Sequence, residues 1–482
     1  MKVLMVSSEA YPFVISGGLG DVVGALPKVL KKDGVDIRVI LPKYKTIDYD
    51  FTKDFKFLKH YFIDIGWRRQ YCGILEYEYQ GVIYYFVDNE YYFKRKDLYG
   101  YHDDAERFIF FSKGVLSLID KYIWTPDIIH CNDWQTAMIP LILNKEYKNK
   151  SNFRNIKTIF SIHNLSFQGN FLPQILPDLL GYDYELFNDK SIELYNNVSF
   201  IKAGINFSDQ ILTVSENYSN EIKTEEFGEK LDGLLSYKSC VLKGITNGID
   251  YDIYNPKEDK LIFENYCIRN KEDKYLNKTL LQRSLGLVVN REVPLLAIIS
   301  RLTHQKGLDL IVNSLDRILQ KNVQVVILGT GDKAYEETLK KLSHMYREKI
   351  SVNVKFNEEL AHKIYAGADM LLMPSLFEPC GLGQLIALRY GTIPVVREVG
   401  GLKDTILNFN KNSGVGNGFT FKSYTSSELL NTIDYAIEIY KDKKAWSSII
   451  EQGMNCDNSW ERASKEYKLL YEKLINYRVH LE

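Results

Sequence analysis

The stretch "KVLMVSSEAYPFVISGGLGDVVGALPKVL", residues 2–30, begins with a short apolar run and ends in an amphipathic pattern of helical period. Between the two lies a loop that carries Gly17, Gly18 and Gly20 directly before the helical pattern. This arrangement predicts a strand, a glycine-rich loop and a helix, the opening unit of an α/β fold. A glycine-rich loop that opens a helix presents backbone N–H groups to anions, so the loop is a candidate phosphate site.

Short β-branched runs alternate with helical patterns along the rest of the chain, which predicts parallel sheets covered by helices. The first series, before residue 216, is "KVLMVSS", "DIRVILP", "PDIIHCN", "IKTIFSI" and "QILTVS". The second, within residues 294–398, is "PLLAIIS", "VQVVILG", "ISVNVKF", "DMLLMPS" and "TIPVVRE". We therefore expect two doubly wound, Rossmann-like domains that face each other across a deep cleft, with ligands beyond the carboxyl ends of the strands.

A turn-rich polar stretch, "KGITNGIDYDIYNPKEDKL" at 243–261, separates the two series and suits an interdomain connection. We place the N-terminal domain at residues 1–243 and the C-terminal domain at 244–458. The tail at 459–482 has helical periodicity. It is a candidate either to close the second domain or to cross back and complete the first.

Charge and cysteine usage narrow the class of protein. Lysine and arginine number 61 against 62 acidic residues in a chain of 482, so no field of one sign is available to attract nucleic acid or an anionic membrane. The six cysteines form no CxxC pair, and no apolar run is long enough for a membrane span. We expect a cytoplasmic protein with reduced thiols, whose partner is a small molecule or a neutral polymer.

The opening glycines do not fit a dinucleotide-binding turn, which needs GxGxxG directly after the first strand and an acid after the second. Here a nine-residue segment intervenes, Val23 stands where the third glycine belongs, and the second strand ends in "LPKY". The loop instead suits a sugar phosphate, with Asp21 as an acceptor for hydroxyls. The structural alternative is that these glycines only let helix and strand pack closely.

The second half places cations and a carboxylate at predicted strand ends. Arg301 and Lys306 follow "PLLAIIS", and Glu378 follows "DMLLMPS" just before a glycine-rich helix start. Two cations can neutralise a diphosphate leaving group without a metal. The acidic triplets "DYD" at 48–50 and 250–252 follow no clear buried strand, so we expect neither a metal nor another cofactor.

In the first half, Asp133 and Trp134 follow "PDIIHCN", and His163 follows "IKTIFSI". A single histidine is more often a structural residue than a catalyst, and a single tryptophan more often packs in a core. Their position at the carboxyl ends of strands favours a functional role only modestly.

Eight segments taken together resemble the bacterial glycogen synthases and plant starch synthases, in the order and at the spacing of that family. They are "SSEAYPFVISGGLGDVVGALP", "YGYHDDAERF", "HCNDWQTA", "IHNLSFQG", "ITNGID", "SRLTHQKG", "FEPCGLGQ" and "VGGLKDT". The resemblance covers essentially the whole chain. It implies a retaining glucosyltransferase of GT-B architecture that moves glucose from ADP-glucose to the non-reducing 4-hydroxyl of an α-1,4-glucan such as glycogen. The N-terminal domain would carry the acceptor and the C-terminal domain the donor.

The resemblance also implies roles for individual residues. The catalytic set would be His163, Arg301, Lys306, Glu378 and Asp133. The donor would be bound by Ser16, Gly17, Gly18, Asp21, Asn247, Phe356, Cys380, Gly381, Leu382 and Gly383, with Phe356 stacked on adenine. The sugar and acceptor site would include Glu9, Tyr99, Asp104, Trp134, Asn164 and Gln168.

Three departures from the family pattern bear on donor affinity. Ile15 replaces a lysine that usually precedes the glycines, Gly383 replaces a hydroxyl residue, and Val399 replaces a threonine. Retention can proceed through a nucleophilic carboxylate, for which Asp133 is the candidate, or through same-face attack, which the family favours. Two alternatives stay open: a GT-B enzyme that uses UDP-glucose or a small acceptor, and a catalytically weak glucan-binding protein.

Overall fold

The computed structural model describes residues 1–121, 124–270 and 272–476. Contacts divide the chain into two compact units. The N-terminal unit comprises Met1–Val214, Ser219–Ile245 and the C-terminal helix from Trp460, whereas the C-terminal unit comprises Ser215–Tyr218 and Thr246–Ser459. No helix in the described part of the chain is both long and apolar enough to cross a membrane.

The N-terminal unit is built on a nine-stranded sheet, with a small three-stranded sheet beside the longer connections. Its strands are β1 Lys2–Val6, β2 Asp36–Pro42, β3 Lys56–Ile65, β4 Arg68–Tyr79, β5 Val82–Asp88, β6 Ile128–Asn132, β7 Lys157–Ile162, β8 Asn170–Phe171, β9 Glu193–Leu194, β10 Asn197–Ser199, β11 Gln210–Thr213 and β12 Leu242–Gly244. Its helices are α1 Gly18–Lys32, α2 Tyr49–Thr52, α3 Glu90–Phe93, α4 Asp104–Lys121, α5 Met138–Ile142, α6 Glu185–Asn188, α7 Phe200–Phe207, α8 Glu216–Glu221, which begins in the segment grouped with the other unit, and α9 Asp232–Tyr237.

The large sheet has the order β12-β11-β7-β6-β1-β2-β5-β4-β3. The five strands predicted from the first series of apolar runs are confirmed, and they pair in parallel. The sequence missed β5 and β12 of this sheet and also β3 and β4, which extend the sheet in antiparallel fashion. These two strands expose one face, so they lack the continuous apolar run that marks a strand buried on both faces.

The C-terminal unit has a six-stranded parallel sheet in the order β15-β14-β13-β16-β17-β18. Its elements are α10 Asp273–Ser284, β13 Leu295–Ile299, α11 Leu308–Leu319, β14 Gln324–Leu328, α12 Lys333–Met345, β15 Ile350–Asn353, α13 Glu358–Gly367, β16 Met370–Met373, α14 Gly383–Arg389, β17 Ile393–Arg397, α15 Gly400–Thr405, β18 Phe419–Phe421, α16 Ser426–Lys441 and α17 Lys443–Asn455. All five strands of the second predicted series are present, and β18 is the strand that the sequence missed.

The C-terminal helix α18, Trp460–Asn476, packs on the N-terminal unit beside α1. Of the two alternatives, its described part therefore crosses back onto the first domain, and residues 477–482 of the predicted helix lie outside the described residues. Lys468 donates to the main-chain oxygen of Asp33 at 2.8 Å. The Tyr471 hydroxyl lies 2.8 Å from Nδ1 of the buried His130 in β6. Because the ring of His130 is enclosed, burial lowers its pKa to about 3.

The opening loop folds back over α1, and two glycines of α1 make room for it. A Cβ on Gly24 would lie 2.7 Å from the main-chain oxygen of Tyr11, and a Cβ on Gly20 would lie 2.7 Å from Cγ1 of Ile15. Gly20 and Gly24 therefore allow close packing of the helix against the loop, whereas the structural alternative expected close packing of helix and strand. A Cβ on Gly17, the N-cap of α1, would meet nothing within 4 Å, so close packing does not account for that glycine.

Candidate active site

In the N-terminal unit, Asp133 lies directly beyond β6 and His163 directly beyond the neighbouring strand β7. The Asp133 carboxylate accepts from the main-chain N–H of His163 at 2.7 Å and also from that of Asn164. The structure thus brings together two residues that the sequence placed at separate strand ends. The carboxylate holds the backbone of the segment that carries His163.

Asp133 has a positive φ of 58°, a conformation that a residue with a Cβ rarely adopts. Its main-chain N–H donates to Ser161 in β7 at 2.9 Å, which holds this conformation in place. Burial raises the pKa of its carboxyl to about 7, while the two main-chain donors oppose that shift. Strained backbone with a shifted pKa is typical of functional sites.

The imidazole of His163 is neutral and has a fixed tautomer. Burial lowers its pKa to about 4, and its Nε2 lies 2.9 Å from Oδ1 of Asn132. The Asn132 amide nitrogen donates to the main-chain oxygens of Val6 and His130, which directs Oδ1 toward the histidine. Nε2 therefore carries the proton. Sequence reasoning missed Asn132, although it lies inside the quoted segment "HCNDWQTA".

Glu9 connects the end of β1 to the glycine loop. Its buried carboxylate accepts from the Ser16 hydroxyl at 2.7 Å, from the Ser16 main-chain N–H, and from the Tyr99 hydroxyl at 2.7 Å. Tyr99 also lies 2.8 Å from the Ser8 hydroxyl. The loop that precedes Gly17 and Gly18 is therefore fixed by a buried charge-assisted network.

Asp104 supports the turn that carries Tyr99. Its Oδ2 accepts from the main-chain N–H groups of Gly100 and Tyr101 at 2.8 and 3.2 Å, and its Oδ1 pairs with the buried Arg107. Both carboxylate oxygens are thus engaged inside the unit. This arrangement favours a positioning role for Asp104 over direct contact with sugar.

Trp134 follows Asp133 and packs against Phe108 at a ring separation of 5.0 Å. A Cβ on Gly169 would lie 2.5 Å from its indole, so that glycine is required for the approach. The neighbouring Gln168 donates to the main-chain oxygen of Glu229 at 2.9 Å, while Asn164 accepts from the Ser166 main chain at 3.1 Å. These contacts order the segment that follows His163.

Asp21 lies in the first turn of α1. Ile15 precedes it in the loop and is 43% exposed, with its side chain over Gly20. Ile15, which stands where the family usually has a lysine, therefore lies beside the N-terminus of α1, where the helix dipole favours anions.

In the C-terminal unit, Lys306 and Glu378 form an ion pair. Lys306 Nζ donates to Oε2 of Glu378 at 2.6 Å, and the Ser375 hydroxyl donates to the same oxygen at 3.1 Å. The glutamate is buried and the lysine largely so. The sequence placed both residues at strand ends but did not predict the pair, and it missed Ser375, which lies in "MPSLFEP".

Two glycines allow the loops that carry Lys306 and Glu378 to pack closely. Gly307 follows the turn of Lys306 with a φ of 74°, and a Cβ there would lie 2.1 Å from the main-chain oxygen of Pro374. Gly400, with a φ of 45°, would place a Cβ 1.9 Å from the main-chain oxygen of Glu378. No residue with a side chain fits at either position without moving the backbone. This geometry gives a physical reason for the glycines in "THQKG" and "VGGLKDT".

The loop Cys380–Gly383 leads into α14. Gln384 donates to the main-chain oxygens of Cys380 and Gly381 at 3.0 and 2.8 Å, which fixes the loop. A Cβ on Gly383 would meet Tyr365 and Met373 at ordinary contact distances of 3.4 and 3.5 Å. The backbone at position 383 would therefore accommodate the hydroxyl-bearing side chain that the family usually has there.

Three other residues predicted to bind the donor differ from the ion pair in exposure and in hydrogen-bond partners. Arg301 is exposed beyond β13 and donates to Gln305 at 3.3 Å. Phe356, between β15 and α13, is 87% exposed. Asn247 is buried, and within the described part of the chain nothing donates to its Oδ1. In residues 1–121, 124–270 and 272–476, no group of three or more His, Cys, Asp or Glu is arranged to hold a metal ion.

Comparisons with known proteins identify the family of the chain. Residues 2–237 match the family model described as "Starch synthase catalytic domain", and residues 286–452 match "Glycosyl transferases group 1". A glycogen synthase of Clostridium botulinum (strain Alaska E43 / Type E3) is 57% identical over 479 residues, covering 99% of this chain and 100% of that protein. One of Clostridioides difficile (strain 630) is 48% identical over 480 residues, with coverage of 99% and 100%.

Solved structures give the same result for the fold. The catalytic domain of starch synthase IV from Arabidopsis thaliana, bound to ADP and acarbose, matches with a TM-score of 0.92 and 32% identity, covering 98% of this chain and 99% of that one. A sucrose-phosphate synthase from Thermosynechococcus elongatus matches at a TM-score of 0.63 and 15% identity over 99% of both chains, which shows the shared fold alone. The chain therefore belongs to the family of bacterial glycogen synthases and plant starch synthases, retaining glucosyltransferases with two Rossmann-like domains of the GT-B type.

Proposed function

We propose that this protein transfers glucose from ADP-glucose to the non-reducing 4-hydroxyl end of an α-1,4-glucan, with glycogen as the polymer and without a divalent metal. The bond from the anomeric carbon to the phosphate oxygen breaks, and a bond from that carbon to the acceptor oxygen forms on the same face. The acceptor proton passes to the departing phosphate oxygen, so the products are an extended glucan and ADP. The free thiols favour a cytoplasmic setting for the reaction.

On the donor side, Arg301 and Lys306 are proposed to hold the diphosphate. Negative charge grows on the phosphate as the glycosidic bond breaks, and two fixed cations stabilise it without a metal. Within the described part of the chain, both hydrogen bonds to the Glu378 carboxylate fall on Oε2. Oε1 is then the oxygen proposed to accept from a glucose hydroxyl, so that Lys306 orients the sugar-binding carboxylate as well as the phosphate.

On the acceptor side, we assign Asp133 to positioning, because its carboxylate holds the main chain of His163. A nucleophilic carboxylate would have to give up these bonds to reach the anomeric carbon. This supports same-face attack over double displacement. The neutral His163, directed by Asn132, would place its main-chain carbonyl near the sugar, where it stabilises developing positive charge.

One observation carries this proposal: the buried Lys306 and Glu378 pair, in a chain aligned over its full length with glycogen synthases. A protein that only bound glucan would gain nothing from a lysine and a carboxylate held together at the end of the donor-domain sheet. The pair suits a site that binds a sugar and a phosphate side by side.

The test supplies labelled ADP-glucose or UDP-glucose to the full-length protein, each with and without glycogen, and follows label into polymer. We expect incorporation that needs glycogen, prefers ADP-glucose and is undiminished in EDTA. Preference for UDP-glucose or for a small acceptor would point to another GT-B activity, and glycogen binding without turnover to a glucan-binding protein. Turnover abolished by EDTA and restored by magnesium would refute the metal-free site.

A further inference from the structure

Helix α18 places a tyrosine hydroxyl against strand β6 of the N-terminal sheet. Buried residues recur along the helix at helical spacing, at Trp460, Ala463, Tyr467 and Tyr471, so one face of the helix packs on the unit. Tyr471 is fully buried, and its hydroxyl lies 2.8 Å from Nδ1 of His130. The helix therefore contributes a polar group, as well as apolar surface, to the interior of the N-terminal unit.

A second hydrogen bond continues from the same imidazole to strand β7. Nε2 of His130 lies 2.7 Å from the Ser161 hydroxyl, and both side chains are buried. Burial lowers the pKa of His130 to about 3, so the ring is neutral near pH 7, with one N–H and one lone pair. Tyr471, His130 and Ser161 therefore form one directed chain of hydrogen bonds, whichever ring nitrogen carries the proton. We call these three residues the buried chain.

Ser161 connects the buried chain to the candidate active site. It precedes His163 by two positions, and its main-chain oxygen accepts from the N–H of Asp133 at 2.9 Å. That bond holds the positive φ of Asp133, whose carboxylate accepts from the main-chain N–H of His163 at 2.7 Å. Asn132, which directs the His163 ring, pairs with Ser161 across the two strands. The buried chain therefore ends at the residue that adjoins both supports of His163.

Stability alone does not require polar groups at this place. The neighbours of His130 in β6 are apolar, and Ile128, Ile129 and Cys131 are fully buried. A leucine at position 130 would fill similar space without the cost of burying an imidazole that needs two partners. Exchange of a buried hydrogen-bonded pair for apolar groups of the same shape is close to neutral for stability. What the polar chain adds is direction, because it fixes the Ser161 side chain and with it the end of β7.

We propose that Tyr471, His130 and Ser161 are positioning residues for glucose transfer, which makes helix α18 part of the support of the active site. The inference rests on the proposed function, in which His163 lies beside the anomeric carbon. The three residues act only through the backbone that carries Asp133 and His163. A misplacement of about 1 Å near the reacting atoms can lower turnover about 10²-fold, so loss of one bond in the chain has a measurable effect on kcat.

The first experiment removes the tyrosine hydroxyl alone from the full-length protein. In Tyr471→Phe we expect kcat with ADP-glucose and glycogen to fall about ten-fold. The KM for ADP-glucose should stay unchanged, because the groups proposed to hold the diphosphate lie in the C-terminal unit. The matched control is Tyr61→Phe. The Tyr61 hydroxyl is buried in the same unit and donates over the same 2.8 Å, to the main-chain oxygen of Gly114 in α4. This control should lower the Tm to a similar extent and leave kcat unchanged.

A double-mutant cycle shows whether the two ends of the buried chain act together. Ser161→Ala should lower kcat to the same extent as Tyr471→Phe, whereas Ser161→Thr, which keeps a hydroxyl, should retain the wild-type kcat. The double variant Tyr471→Phe/Ser161→Ala should lose no more than the larger single effect, since either change already interrupts the chain. Single effects that multiply to about 10²-fold in the double variant would overturn the chain, because the two hydroxyls would then act separately.

A spectroscopic measurement tests the same chain without turnover. In protein with isotope-labelled histidine, the imidazole N–H signals of His130 and His163 are assigned by their loss in His130→Gln and His163→Gln. In Tyr471→Phe we expect the His163 signal to move together with that of His130, whereas in Tyr61→Phe both stay in place. A His163 signal that stays in place in Tyr471→Phe would overturn the proposal, and so would an unchanged kcat. If wild-type protein fails to use ADP-glucose, the proposed function is wrong, and the His163 signal still decides whether the chain positions this residue.

Discussion

Replacement of Lys306 tests the donor site through two measurements, the thermal stability of the protein and its kcat. The Lys306 ammonium lies 2.6 Å from a carboxylate oxygen of Glu378, whose side chain is 6% exposed. Lys306→Ala therefore leaves a buried negative charge supported only by the Ser375 hydroxyl among the bonds described above. Loss of one partner of a buried pair costs about 3 to 5 kcal/mol. We take about 3 kcal/mol because the Ser375 bond remains, which lowers the Tm by about 6 to 12 °C.

The same substitution removes a charge that stabilises the departing phosphate, so we expect kcat to fall about 10²-fold or more. Arg301→Ala is the matched control. Arg301 is exposed and its guanidinium bonds only to Gln305 among its described contacts, so its loss should lower kcat similarly while the melt stays unchanged. The two variants are therefore expected to lose turnover alike and to differ in thermal stability.

The double variant Lys306→Ala/Glu378→Gln distinguishes stability from catalysis. Neutral glutamine removes the unpaired charge, so the melt should recover most of its loss while turnover stays low. The measurements are thermal melts and initial rates with ADP-glucose and glycogen. Full activity in Lys306→Ala, or recovery of turnover together with stability in the double variant, would refute a catalytic role for this lysine.

Three further outcomes are expected. Phe356→Ala should weaken ADP binding in calorimetry by about 1 to 3 kcal/mol if the exposed ring stacks on adenine, and unchanged affinity would place the base elsewhere. Ile15→Lys should lower the KM for ADP-glucose by about ten-fold to a hundred-fold, since a charge-assisted bond contributes about 1.5 to 3 kcal/mol, and leave the KM for glycogen unchanged. An unchanged donor KM with an unchanged melt would show that this position does not face phosphate. His130 is neutral in the folded protein but protonates below its ordinary pKa of 6.5 when unfolded, so stability is lost as the pH falls from 6.5 toward 3. His130→Gln should therefore reduce the loss of unfolding free energy between pH 7 and pH 5 by about 2 kcal/mol, measured by urea titration, and an equal loss in both proteins would contradict the assignment.

Much of the fold was predictable because its strands are buried on both faces. "PLLAIIS" and "VQVVILG" are continuous apolar runs, and they form β13 and β14, which are inner strands of their sheet. The hairpin β3–β4 escaped prediction because one face is exposed. Its outward residues are aromatic and charged, so the alternation of apolar and polar residues is blurred.

The sequence by itself determined the two Rossmann-like domains, the family and the strand ends where Asp133, His163 and Glu378 lie, because burial patterns and motif order are local properties of the chain. Only the tertiary structure decided what these side chains bond. Lys306 and Glu378 are 72 positions apart and meet because their strands, β13 and β16, are neighbours in the sheet. Asn132 fixes the tautomer of His163 for the same reason, since β6 and β7 pair in parallel. Contacts across a sheet depend on strand order, and strand order is set by packing of the whole unit, which no local pattern records.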